Sequence, residues 1–274
     1  MDELLDNHVK SRLASGGYAL GTAVWFVRTP AMMRMIRAAG YDFVTIDMEH
    51  SSFSLETISD MCELAHAIGL VPVIRPDSHS RFLGNRLQDL GALGLMQFDI
   101  RTRSEVDEIL DWMRYPPDGS RPAFTAAFSG TKGKSGQAVN SSANANMLLV
   151  IQVESQHAVE KIDDILLGGG IDVVEVGRSD LSTSYGVPGQ RNHALVLEAV
   201  DRIVAACQRH GVAVGAGCTS QEDAEDMIRK GVRYLMYPAS DFGVLKNTYQ
   251  EGNRMLRHLT AARAAPPNDG RGDG

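Results

Sequence analysis

Four short apolar runs in this chain end abruptly in groups that can do chemistry. The run from Phe43 leads into Asp47-Met48-Glu49-His50, that from Val71 into Arg75, that from Leu148 into Gln152-Val153-Glu154, and that from Ile171 into Gly177-Arg178-Ser179-Asp180. Charge at the end of a buried run is costly unless a ligand or partner compensates it. Glu154 and Asp180 close neighbouring runs, and two converging carboxylates repel unless a divalent cation sits between them. Oxygen-only ligation suits Mg²⁺ or Mn²⁺, with waters or substrate completing the octahedron. The competing reading pairs Glu154 with an arginine and makes Asp180 a helix cap.

Arg75 ends Val71-Pro72-Val73-Ile74-Arg75-Pro76. A guanidinium there can neutralise an anionic substrate or a developing enolate, because it stays charged and offers a rigid fork of donors. A salt bridge to a nearby acid is the plainer alternative. His50 follows Glu49, and Asp47 shares a strand face with Glu49 by period-two alternation; a histidine oriented by a carboxylate is a general acid/base candidate. Absences narrow the chemistry. None of the six lysines ends an apolar run, which argues against a Schiff-base enzyme. No H-x-H closes the first run, which argues against a zinc amidohydrolase. Cys218 closes the seventh run without an evident partner.

The elements that must position these groups follow a βα rhythm. Candidate strands span Ala19 to Phe26, Phe43 to Met48, Val71 to Arg75, Gly94 to Asp99, Leu148 to Glu154, Ile171 to Gly177, Val212 to Gly217 and Arg233 to Pro238. Between them lie stretches of helical period, such as Leu55 to Gly69 and Ala194 to Gly211, closed by Gly40, Gly69, Gly91, Gly211 and Gly231. Eight such units in one domain match the size of a (β/α)8 TIM barrel, an α/β fold whose catalytic groups sit at the strand ends. A doubly wound sheet lacks support, because no G-x-G-x-x-G follows the first strand. Tyr115 to Asn146 is expected to be a long loop, and residues 261–274 a disordered tail behind a barrel domain of residues 1–260.

The 274 residues carry 27 basic and 34 acidic side chains, a formal charge of −7. That balance argues against nucleic acid or an anionic membrane as partner, and no run approaches the length of a membrane span. Three cysteines, two of them in helical patterns, point to a reducing, cytoplasmic setting.

Five segments in unbroken order carry a resemblance: Gly40 to His50 (GYDFVTIDMEH), Val73 to Pro76 (VIRP), Arg114 to Arg121 (RYPPDGSR), Ile151 to Glu154 (IQVE) and Val176 to Gly186 (VGRSDLSTSYG). Over about Gly17 to Leu259 the chain resembles the HpcH/HpaI aldolases, metal-dependent class II pyruvate aldolases of the phosphoenolpyruvate/pyruvate superfamily. The resemblance implies a barrel whose C-terminal helix is exchanged between subunits of a homohexamer, a trimer of dimers. It implies that Glu154 and Asp180 hold Mg²⁺ or Mn²⁺, with Co²⁺ a further candidate, and that pyruvate binds this metal through a carboxylate oxygen and its keto oxygen. Arg75 would steady the enolate, while His50 and Asp47, or a water on the metal, would manage protons. Gln152 would line the site, and the backbone N–H groups of Ser179 and Asp180 would receive the carboxylate.

Departures from the family pattern surround this machinery. Gly21-Thr22-Ala23-Val24-Trp25 places Trp25 later than the family's tryptophan, Phe98 and Pro122 stand at two altered positions, and Arg178 replaces the proline of G-P-x-D-L-S. Arg178 adds a cation that either binds a second carboxylate or points outward. The implied function is reversible cleavage or formation of a C–C bond between pyruvate, or a close 2-oxo acid, and an aldehyde. A metal-dependent 2-oxo acid decarboxylase or an enolate-coupling synthase is the alternative enzyme. A non-catalytic barrel would show strand-end charges satisfied by salt bridges and no bound metal.

Overall fold

Alternating apolar strands and amphipathic helices bury their faces here by closing the strands into a cylinder sheathed by helices. A computed structural model describes residues 7–123 and 136–264 of the chain. In order these form α1 (His8–Ala14), β1 (Ala19–Val24), α2 (Ala31–Ala38), β2 (Phe43–Asp47), α3 (Leu55–Ala67), β3 (Val71–Arg75), α4 (Arg81–Asp89), β4 (Gly94–Gln97), α5 (Arg103–Met113) and α6 (Gln137–Asn146). There follow β5 (Leu148–Val153), α7 (Gln156–Glu160), α8 (Ile162–Leu166), β6 (Val173–Val176), α9 (Arg178–Ser184), α10 (Ala194–His210), β7 (Ala213–Gly217), α11 (Gln221–Lys230), β8 (Tyr234–Met236) and α12 (Asp241–Ala264). The eight strands are parallel and close in sequence order, β8 pairing with β1, so the expected TIM barrel is what the chain forms. Among the described residues no helix is long and apolar enough to cross a membrane.

Two cores result from period-two alternation. Outward strand residues such as Ile46, Ile74, Leu149 and Val174 pack on the helices, while Phe43, Val73, Val150, Val173 and Tyr234 fill the barrel. The Phe43 and Tyr234 rings stack at 4.0 Å inside it, and Val9 and Leu13 of α1 join this inner cluster. Following the inward face toward the strand ends, apolar side chains give way to Asp47, Arg75, Gln152 and Glu175, all buried. The polar groups are therefore stacked on an apolar plug, at the end of the barrel where βα loops begin.

Local signals set the helix ends. Ser54, Ser80, Ser155 and Ser220 cap α3, α4, α7 and α11 through their hydroxyls, and Thr102 with Glu105 forms a capping box on α5. The five glycines expected to close helices all have positive φ. The stretch Tyr115 to Asn146, read as a loop, is in part helical: α6 occupies its last ten residues, with Val139 buried. Asn144 secures α6 by accepting from the Tyr115 N–H at 2.8 Å and donating to the Tyr115 carbonyl at 2.9 Å. Residues 124–135 lie outside the described part, as does the tail beyond Ala264. The last helix passes the boundary drawn at residue 260 and reaches Ala264.

Candidate active site

Register brings the expected groups together. Asp47 at the end of β2 lies opposite Arg75 at the end of β3, and the fully buried Asp47 carboxylate ion-pairs with the Arg75 guanidinium. Glu49 pairs with the same guanidinium at 3.1 Å, and Arg75 Nη1 donates to Gln152 Oε1 at 3.4 Å. Burial alone would lower the Arg75 pKa, but the charge and hydrogen bond of Asp47, with Glu49 and Glu175, raise it above the usual value. The cation is held charged and aimed.

Gln152 extends this network by donating from Nε2 to Glu154 Oε2 at 2.5 Å, while Glu154 Oε1 accepts from the Asp99 N–H at 2.8 Å. Asp99 adopts φ 44°, a left-handed turn that breaks away from β4 just before its amide meets Glu154. Gly177 faces the same carboxylate: a Cβ there would sit 2.5 Å from Glu154 Oε2 and 2.8 Å from Gln152 Nε2. Only glycine leaves Glu154 its position. Asp180 follows in the first turn of α9, whose N-cap, Gly177, offers no side-chain cap. Asp180 therefore lies inside the helix start, where the first N–H groups lack helical acceptors.

Burial pushes the Glu154 carboxyl up to about 7, and the charges of Glu175, Asp180 and Glu49 add to it against the Asp99 hydrogen bond. A carboxylate cluster whose members raise one another is short of positive charge, and a hard cation supplies it. Glu154 and Asp180 line one chamber and offer the carboxylate oxygens that such an ion takes. No group of three or more His, Cys, Asp or Glu side chains converges as metal ligands among the described residues.

An inner cavity of about 260 Å³ is lined by Trp25, Asp47, His50, Arg75, Gln152, Ser179 and Asp180, with Glu175, Arg178 and Arg191 completing its charged wall. A second chamber of about 420 Å³ lies against Glu154, Phe98 and Arg101 and shares His50 and Asp180 with the first. The His50 and Asp47 side chains are not paired as the sequence suggested. Asp47 accepts the His50 backbone N–H at 2.9 Å, while the imidazole, 60% exposed, stands 3.8 Å from Glu49. Arg178 lines the cavity, yet its guanidinium turns to Asp223 at 2.7 and 2.9 Å and to the Gly217 carbonyl at 2.9 Å. Cys218 is buried, and burial pushes its thiol up to about 11, which removes the thiolate a nucleophile needs.

Sequence reasoning did not single out Glu175 or Arg191. Glu175 sits in the middle of Val173-Val174-Glu175-Val176, where attention to strand ends passes over it; a lone carboxylate in a buried run was the available signal. Arg191 comes from the connection between α9 and α10, and nothing local in its sequence tells that it returns to the barrel mouth.

The sequence profile for HpcH/HpaI aldolase/citrate lyase matches residues 24–247. A 2-keto-3-deoxy-L-rhamnonate aldolase of Klebsiella pneumoniae is 30% identical over 236 residues, which span 86% of this chain and 88% of that protein. The crystal structure of an HpcH/HpaI aldolase from Desulfitobacterium hafniense superposes with a TM-score of 0.86 at 26% identity, over 91% of this chain and 96% of that one. The citrate synthase SbnG superposes with a TM-score of 0.82 at 26% identity, over 92% of this chain and 98% of its own. With the matched profile spanning seven of the eight strands in full and the end of the first, the chain belongs to the HpcH/HpaI aldolase/citrate lyase family.

Proposed function

We propose that this carbon–carbon lyase is a metal-dependent class II aldolase acting through the enolate of pyruvate or a close 2-oxo acid, with an aldehyde as the other partner. The observation that carries this is that Asp180 shares the inner cavity with the buried guanidinium of Arg75 and the second chamber with Glu154, while Gln152 bonds both Arg75 and Glu154. Family membership and the aldolase relative support the same reading. Glu154 and Asp180 hold the divalent cation, Mg²⁺, Mn²⁺ or Co²⁺. When bound, this ion acts as a Lewis acid that lowers the cost of forming an enolate.

The chain's own groups supply the rest. Gln152 fixes the Glu154 carboxylate, and Asp47 with Glu49 fixes Arg75, whose fork then meets negative charge growing on the 2-oxo acid oxygen. The amides of Ser179 and Asp180 receive the carboxylate end, and Trp25 forms a wall of the cavity. In the cleavage direction a base takes the proton of the aldol hydroxyl, the C–C bond breaks, the aldehyde leaves, and the enolate is protonated on its methylene carbon. His50, shared by both chambers, stands where such a proton moves between substrate and solvent.

The test is exchange of pyruvate methyl protons with solvent. Wild type should exchange them in a metal-dependent manner, and Glu154→Gln or Asp180→Asn should abolish this with the fold intact. Undiminished exchange in metal-stripped protein refutes the reading. The likeness to citrate synthase SbnG favours an enolate-coupling synthase as the second reading; product analysis with pyruvate and an aldehyde panel, against oxaloacetate alone, separates the two and also reads a decarboxylase.

Assembly belongs to the same proposal. Helix α12 leaves Tyr249, Met255, Leu256 and Leu259 exposed on one chain, and an exchanged C-terminal helix in a homohexamer, a trimer of dimers, would cover them. Sedimentation of the purified protein as a monomer would contradict this. Three buried free thiols suit a cytoplasmic location.

A further inference from the structure

Asp180 stands in the first turn of α9, and no side chain caps that turn. Its N-cap is Gly177, the residue type with the freest backbone. The first helical position is Arg178, where a proline would have fixed the backbone in advance. The turn that carries Asp180 therefore gains little rigidity from its own sequence.

Arg178 supplies a tether from elsewhere in the fold. It neither binds a second carboxylate nor points outward, the two roles its sequence left open, because it is 1% exposed and the protein engages both its terminal nitrogens. Nη1 donates to Asp223 Oδ1 at 2.7 Å and to Asn192 Oδ1 at 3.2 Å, and Nη2 donates to Asp223 Oδ2 and to the Gly217 carbonyl, both at 2.9 Å. One side chain thus joins the start of α9 to the end of β7, the first turn of α11 and the connection between α9 and α10. The anchor is itself fixed: Asp223 accepts from the Thr219 N–H at 2.9 Å, and its own N–H donates to Ser220 Oγ at 3.1 Å. A buried ion pair is often no more stabilising than an apolar pair of the same volume, so stability does not account for this one. What a bidentate pair adds is direction, since two parallel hydrogen bonds fix the orientation of both partners.

We infer that Asp223 is a positioning residue for the reaction: by gripping Arg178 it sets the first turn of α9 and holds the Asp180 carboxylate where a divalent cation binds. The inference rests on the reading that Glu154 and Asp180 hold that cation. Arg178 and Asp180 are two residues apart in one helical turn, so a shift of the first is carried to the second. Partners that orient a metal ligand are typically worth about 10- to 100-fold in metal affinity.

Calorimetric titration of metal-stripped protein with Mn²⁺ tests the inference, with circular dichroism and urea denaturation to verify that each variant is folded. The double variant Arg178→Met/Asp223→Leu replaces the pair with apolar groups and keeps the net charge of the chain, so electrostatic attraction for the cation is matched to wild type. It should nevertheless bind Mn²⁺ on the order of 10- to 100-fold more weakly. A second double variant, Arg178→Pro/Asp223→Leu, has the same net charge but fixes the first helical position through its ring, and should recover most of that affinity. Wild-type affinity in the folded first variant, or an equal loss in both variants, overturns the inference. The metal reading fails by a different result: a wild type that binds no Mn²⁺, or Glu154→Gln binding it as tightly as wild type.

Discussion

Removing Asp223 should harm this protein more than removing its partner, Arg178. The two form a bidentate ion pair at 2.7 and 2.9 Å, with Arg178 1% exposed and Asp223 8% exposed. Asp223→Ala leaves a buried guanidinium with, among the described residues, the Gly217 carbonyl at 2.9 Å and Asn192 Oδ1 at 3.2 Å as its acceptors. Stripping one partner from a buried pair costs about 3–5 kcal/mol, which for a chain of this length lowers Tm by roughly 6–10 °C. Arg178→Met is milder, because Asp223 keeps the Thr219 N–H at 2.9 Å and its place in the first turn of α11, where a carboxylate is favoured. A cost of about 1–2 kcal/mol is expected, from the lost charge-assisted hydrogen bonds. The double variant Arg178→Met/Asp223→Leu should recover much of the loss. Urea denaturation at fixed protomer concentration provides the measurement. Burial raises the Asp223 pKa, but its bonds to Arg178 and Thr219 outweigh that and hold it below the usual carboxylate value. A depressed folded pKa contributes stability that is present above the unfolded value of about 3.9 and lost as pH falls through the folded one. The gap between wild type and Asp223→Ala should thus stay constant from about pH 5 to 8. Equal costs for Asp223→Ala and Arg178→Met would refute the reasoning, since the difference depends on which charge is left stranded.

Glu175→Gln should stabilise metal-free protein at pH 8 by on the order of 3 kcal/mol. Its carboxyl is raised from 4.5 to about 7, chiefly by burial, so its contribution is complete below the unfolded value and is lost as pH rises through about 7; an unchanged stability-against-pH slope between pH 4.5 and 7 would contradict this. Asp241→Ala strands the Trp25, Phe26 and Val27 N–H groups that its buried carboxylate accepts at 2.9, 3.0 and 2.8 Å. A loss of about 3 kcal/mol or more is expected, with a changed Trp25 emission, and an unaltered spectrum and Tm would show the loop held by other contacts. Arg75→Ala should lower the rate on the order of 10²-fold; a near-normal rate would reduce Arg75 to a structural partner of Asp47.

The barrel was legible because each strand is a short apolar run bounded by turn residues, and periodicity survives without any tertiary knowledge. Strand ends were less so: Asp99 turns left-handed, so β4 stops at Gln97, and Glu154 and Gly177 stand just past their strands. Attention to strand ends located Asp47, Arg75 and Gln152 and passed over Glu175 in mid-strand, and partner choice depends on neighbouring strands. Asp47 therefore went to Arg75, 28 residues away, rather than to the nearby His50 ring. Arg178 and Asp223, 45 residues apart, are brought together by the pairing of β6 with β7. Helix α6 was hidden by its composition, since Gln137 to Asn146 is rich in Ser, Asn and Ala and earns its helical state from Val139 and from Asn144 bonding Tyr115.

The Asp241 carboxylate fastens the turn just past β1, which carries Trp25, to the root of α12, whose Tyr249, Met255, Leu256 and Leu259 are exposed. One side chain therefore anchors both a wall of the reaction chamber and the first turn of the 24-residue helix, so the loss of that single carboxylate would free the two together.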